Sequence, residues 1–119
     1  MCIRDRLHYG RFDETPAEVA EQVVRTNLFG CMNGSRVALR HFRARGRGTL
    51  INVSSILGAI GHPYTAAYVA SKFAIRGLTE SLRAEVRDLP HIQVCAVLPA
   101  AVDTAILSLI HISEPTRPY

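Results

Sequence analysis

Two short apolar runs, Thr49 to Val53 and Ile92 to Leu98, flank a helical stretch about twenty-five residues long. That spacing constrains the fold more than any other feature of the chain. A hairpin needs only a few residues between its strands, whereas a helical crossover of this length lays the second strand parallel to the first. Both runs are mostly apolar, with Thr49, Asn52 and Gln93 the exceptions, so they read as strands buried on both faces. The expected fold class is α/β, with helices packed on a parallel sheet.

The boundaries carry their own signals. Thr15-Pro16-Ala17-Glu18 offers a hydroxyl N-cap, a proline at the first helical position and a glutamate able to reach back to the cap, so a helix is expected to begin there. Val19, Val23, Val24, Leu28, Met32 and Leu39 continue a helical pattern to about His41, while Asn27, Gly30, Asn33 and Gly34 weaken its middle. One long, interrupted helix results, ended by Gly46 and Gly48. After the first strand, Ser54 to Tyr64 holds small residues with Gly58, Gly61 and Pro63, which predicts a close-packed loop. The second helix is predicted from Thr65 to Leu89, stopped by Pro90. Ile75, Leu78, Leu82, Val86 and Leu89 form its apolar stripe. Ala66, Ala70, Ala74 and Gly77 form a small-residue stripe that another backbone can approach.

Of the 119 residues, 48% are hydrophobic and 20% charged, which excludes low-complexity and collagen-like chains. No apolar run reaches the roughly 18 residues of a membrane span, and no secretory signal is visible, so a cytoplasmic protein with no membrane partner is expected. Cys2, Cys31 and Cys95 are odd in number and far apart, and read as buried thiols. His8, His41, His62 and His91 lack metal-ligand spacing, so no metal is expected. Arg36, Arg40, Arg43, Arg45 and Arg47 form a basic patch, but cations are favourable at a helix C-terminus and no aromatics interleave with them; no nucleic-acid partner is expected. Met1 to Arg6 and Leu107 to Ile112 read as translations of the two strands of one transposase sequencing adapter. Residues 1–6 and 107–119 are accordingly expected to lie outside the fold, and 7–106 to form part of one domain.

In parallel α/β sheets ligands bind beyond the carboxyl ends of the strands, which directs attention to Ser54, Ser55 and the segment at Pro99. Tyr68 and Lys72, four apart, share a face near the start of the second helix. A phenol beside an ammonium suits acid/base work. Ionising a free tyrosine near pH 7 costs roughly 4 kcal/mol, and a positive charge about 4 Å away supplies roughly that at an effective dielectric of about 20. Thirteen of the fourteen basic residues are arginine and the one lysine is Lys72, where a compact, flexible ammonium fits better than a planar guanidinium. On spacing alone, a snorkelling lysine beside a half-buried tyrosine is the commoner arrangement.

Ser55, thirteen positions before Tyr68, changes that balance. Ile51-Asn52-Val53-Ser54-Ser55, Gly58, Pro63 and Tyr68-Val69-Ala70-Ser71-Lys72 together resemble the catalytic signature of the short-chain dehydrogenase/reductase family. Thr26-Asn27-Leu28-Phe29-Gly30 is similar to the family's helix segment bearing a fourth catalytic residue, and Pro99-Ala100-Ala101-Val102-Asp103-Thr104 to its nicotinamide-passing segment. The resemblance implies a partial Rossmann-like, doubly wound parallel sheet lacking the N-terminal dinucleotide-binding half. It implies an NAD- or NADP-dependent oxidoreductase, the choice between them not being readable, that transfers hydride between nicotinamide and a small-molecule alcohol or ketone.

In that resemblance Tyr68 is the general acid or base, Ser55 orients the reacting oxygen, and Lys72 lowers the tyrosine pKa and binds the ribose. Asn27 holds a relaying water through its backbone carbonyl. Tyr68, Lys72, Pro99, Ala100, Val102 and Thr104 contact the cofactor. Ala100 departs from the family's usual glycine, and the glycine-rich turn that cradles the pyrophosphate is absent. The isolated chain is therefore expected to be poorly stable and inactive, with exposed strand edges. A parent homo-oligomer is expected, paired through the helices of Met32 and Ile75. The alternative function is a catalytically inactive Rossmann-like protein serving subunit association, for which the Ser55, Tyr68 and Lys72 set has no use.

Overall fold

The computed structural model of the protein describes residues 7–99, apart from the side chain of Leu57. Helix α1 (Ala17–Val24) runs directly into a π-helical turn (Arg25–Phe29) and on into α2 (Gly30–Arg45), giving the long, interrupted helix expected. The start differs from expectation. Pro16, not Thr15, occupies the cap position, and the Thr15 hydroxyl instead donates to the Arg11 carbonyl at 2.8 Å. The 3-10 turn Phe12–Glu14 brings the Arg11 carbonyl, just before it, within reach of that hydroxyl. At the far end α2 continues past His41 until Gly46, whose φ of 86° places it in the left-handed region while its N–H closes on Phe42 O at 2.7 Å.

Strand β1 (Gly48–Val53) pairs in parallel with β2 (Ile92–Val97), in register from Gly48 opposite Ile92 to Val53 opposite Val97. Helix α3 (Ala66–Glu85) is the crossover. It stops short of the expected Leu89 because Val86 and Leu89 form successive turns: Leu89 N–H reaches Val86 O and Ile92 N–H reaches Leu89 O, which swings the chain into β2.

The expectation of strands buried on both faces does not hold. Val86, Ile92 and Val94 cluster with Leu39, Phe42, Leu50, Leu82 and Leu89, so α2 and α3 both cover one face of the sheet. Side chains alternate along a strand, and those aimed the other way, Ile51, Val53 and Val97, are 55%, 49% and 43% exposed. No described element covers that second face. Nor are the thiols of Cys31 and Cys95 fully buried as expected; both are half-buried, and Cys2 lies outside the described residues.

The buried side of α3 is more polar than its apolar stripe implies: Tyr68, Ser71, Lys72, Ile75 and Thr79. The small-residue stripe is largely exposed at Ala66, Ala70 and Gly77, so no backbone of the described residues exploits it. Polar groups staple the layers. Ser35 of α2 donates to Asn52 Oδ1 (3.3 Å), Asn52 Nδ2 donates to Thr79 Oγ1 (3.1 Å), and Thr79 donates to Ile75 O (2.7 Å), all out of solvent. Buried polar groups are tolerated at this density because they are bonded to one another.

Candidate active site

Beyond the carboxyl end of the sheet the two departing chains stay paired, with Ser54 N–H on Val97 O at 2.8 Å and Ile56 N–H on Pro99 O at 3.0 Å. Ser54, buried, donates its hydroxyl to the backbone carbonyl of Lys72 at 2.9 Å and so ties the strand end to α3. Gly58 allows the close approach: a Cβ there would overlap Ser54 Oγ and press to 3.0 Å on Lys72 O. The loop is close-packed here as its small residues predict, but from Ala59 to Gly61 it is exposed, and Gly61 has no atom within 4 Å of an added Cβ. Ser55, half-buried, follows directly and accepts the Gly58 N–H at 2.7 Å through its carbonyl.

Tyr68 is 6% exposed and packs on Val23 of α1, with Leu7, Ile56, Ala67 and Val69 around the pair. One turn further on, Lys72 is 1% exposed. Its Nζ lies 5.4 Å from the centroid of the Tyr68 ring and 3.5 Å from Val53 O. An ammonium held out of water is costly unless electron-rich groups face it, and here an aromatic face and the last carbonyl of β1 do so. The flexible four-carbon stem lets a cation rooted on the helix reach the strand end.

Asn27 sits at the centre of the π-helical turn and is 4% exposed. Its Nδ2 donates to Ser71 Oγ at 3.1 Å, and Ser71 donates in turn to Tyr68 O at 2.7 Å. The widened turn changes the register of side chains between α1 and α2. Val23 thus meets the Tyr68 ring while Asn27, four residues on, meets α3 between Tyr68 and Lys72. Single π-helical turns occur frequently at functional sites.

The structure thus gathers Asn27, Tyr68 and Lys72 around one turn of α3, with Ser54 and Ser55 at the adjoining strand end. Pro99 is exposed and joins this edge through its carbonyl. Ala100, Val102 and Thr104 lie outside the described residues. Sequence reasoning missed the connecting roles of Ser54 and Ser71. Ser54 was placed at the functional edge and Ser71 within the Tyr68 motif, but only the folded chain shows which hydroxyl bonds across elements. No cluster of three or more potential metal-ligating side chains occurs among the described residues, and no described helix is long and apolar enough to cross a membrane.

Comparison with known proteins finds matches over most of the chain. The family described as short chain dehydrogenase matches residues 7–114. The 3-ketodihydrosphingosine reductase of Bacteroides thetaiotaomicron is 43% identical over 102 residues, covering 86% of this chain and 37% of that protein. Human dehydrogenase/reductase SDR family member 7 is 32% identical over 104 residues, covering 87% of this chain and 31% of its own length. The chain thus spans about a third of the length of these curated relatives. Among solved structures, ElxO with NADP bound superposes with a TM-score of 0.79 at 31% identity, over 92% of this chain and 44% of that one.

Proposed function

The chain belongs to the short-chain dehydrogenase family, and from that premise we propose that it carries the catalytic part of an NAD(P)-dependent oxidoreductase acting on a carbonyl/alcohol pair. The observation that carries the reading is the buried pair in which Lys72 Nζ stands 5.4 Å from the Tyr68 ring beside the end of β1. A cation held beside a phenol favours its ionised form over the neutral one.

The donor set fits the nicotinamide riboside end of the cofactor: a phenol, an ammonium and the backbone around Pro99, all at the carboxyl edge of a parallel sheet. No glycine-rich turn fit for a pyrophosphate is found among the described residues. When bound, the nicotinamide supplies or accepts the hydride. Tyr68 gives its phenolic proton to the carbonyl oxygen during reduction and takes it back during oxidation. Ser55 hydrogen-bonds the same oxygen and holds it in line. Lys72 favours the phenolate and binds ribose hydroxyls, and Asn27, bonded to Ser71, holds through its backbone carbonyl a water that relays protons to Lys72. Relatives of this site include a reductase of 3-ketodihydrosphingosine and a protein solved with NADP, which supports a ketone substrate and a nicotinamide cofactor.

The test is nicotinamide absorbance against a panel of alcohols and ketones, using protein expressed from the complete reading frame that encodes this chain. Tyr68→Phe serves as control and is expected to lose 10²- to 10⁴-fold in kcat, roughly the range for a removed acid/base group, with an unchanged melt. Equal rates for variant and parent remove the assignment.

A further inference from the structure

We propose that Tyr64, backed by Tyr9, is the specificity-determining residue of this site, selecting ketones that carry an extended apolar group; the inference rests on the oxidoreductase reading above. Tyr64 is the one non-glycine residue with positive φ among those described, at 68°. In that region Cβ crowds the following carbonyl, so a bulky side chain is disfavoured where glycine or asparagine is cheap. A tyrosine kept there points to a use for its ring rather than for the turn.

The surroundings say what the ring does. Its carbonyl accepts the Gly10 N–H at 2.8 Å, and its ring meets that of Tyr9 at 5.4 Å between centroids, tilted by 44°. Leu7, two residues before Tyr9, packs into the Val23 and Tyr68 cluster. The segment from Leu7 to Gly10 therefore links the packing around Tyr68 to the strained turn that opens α3. Held by Tyr9, Tyr64 is nevertheless 41% exposed, and Ile60 of the same loop is 55% exposed. The ring is thus braced by Tyr9 while the residue keeps much of its surface open. From Ala59 to Ala66 the loop carries no Lys, Arg, Asp or Glu; its exposed side chains at Ala59, Ile60, Pro63 and Tyr64 are largely apolar and suit an alkyl or aryl group, with His62 half-buried and Thr65 buried.

The experiment compares 2-butanone with 2-undecanone, which share the reacting carbon and differ in chain length, using protein from the complete reading frame. Tyr64→Phe keeps the ring; Tyr64→Gly and Tyr64→Asn remove it while accepting the positive φ, and either one suffices if the other fails to fold. Loss of one ring face of apolar contact corresponds to about tenfold in KM. Expected is a tenfold rise in KM for 2-undecanone in the Gly and Asn variants, with 2-butanone within about twofold of the parent and the Phe variant unchanged for both. Equal shifts for the two ketones, no shift for either, or a Phe variant that behaves like Gly overturns the inference while leaving the oxidoreductase reading intact. A parent that turns over neither these ketones nor any of the panel overturns both.

Discussion

Replacing Gly58 by alanine probes the lock between the end of β1 and the turn of α3 that carries Lys72. The added Cβ overlaps Ser54 Oγ and stands 3.0 Å from Lys72 O, which belongs to a helical backbone and cannot retreat. Ser54 must give way. Its hydroxyl then loses the 2.9 Å bond to Lys72 O at a position only 3% exposed, where water cannot replace the partner. Overpacking of this kind costs roughly 1–3 kcal/mol and an unsatisfied buried hydroxyl roughly 1–3 kcal/mol more, so about 2–6 kcal/mol is expected in total. Urea unfolding followed by circular dichroism reads the change, with a constant m-value showing that stability and not the unfolded state has altered.

Gly61 is the control. It lies in the same loop with no atom within 4 Å of an added Cβ and without positive φ, so Gly61→Ala is expected within about 0.5 kcal/mol of the parent. The double variant Gly58→Ala with Ser54→Ala removes the overlapping oxygen. It should be more stable than Gly58→Ala alone, with about 1–2 kcal/mol of coupling between the two sites. Strict additivity, or a Gly58→Ala melt indistinguishable from the parent, refutes the packing argument.

Other substitutions separate the remaining contacts. Gly46→Ala places a Cβ at φ 86° and is expected to cost roughly 1–2 kcal/mol in urea, with Gly46→Asn nearer the parent; equal melts for alanine and glycine would refute the left-handed end of α2. Asn52→Leu breaks the bonds to Ser35 and Thr79 and is expected to cost about 1–3 kcal/mol, with recovery when Ser35→Ala and Thr79→Val are added; failure of the triple variant to recover would show that packing, not bonding, sets the loss. Ser71→Ala removes the acceptor of Asn27 Nδ2 and is expected to lower the unfolding free energy in urea by about 1–2 kcal/mol and kcat with it, leaving substrate KM unchanged; a rise in KM alone would contradict a role through Asn27.

The layered architecture was legible because it rests on local physics. Apolar β-branched runs make strands, Gly46 stops a helix where its φ demands glycine, and a crossover of this length leaves parallel pairing as the outcome. The break at Asn27 was likewise written in residues of low helix propensity, and it became a π-helical turn. Tyr68 and Lys72 were placed on one helix face by their spacing alone.

What a one-dimensional pattern does not carry is which neighbour arrives from elsewhere in the chain. Ile51 and Val53 have the composition of two-sided burial, yet both helices pack on the opposite face. Ser54 and Ser71 look like ordinary small residues until the carbonyl of Lys72 and the amide of Asn27 come within bonding distance. Tyr64 was readable as an aromatic, and only the backbone shows that it is held at φ 68°. Periodicity and propensity are properties of adjacent residues, so the sequence alone determined the elements and the residue types of the site. Contacts between residues 17 to 44 positions apart, which decide burial and bonding, came into being only when the layers packed.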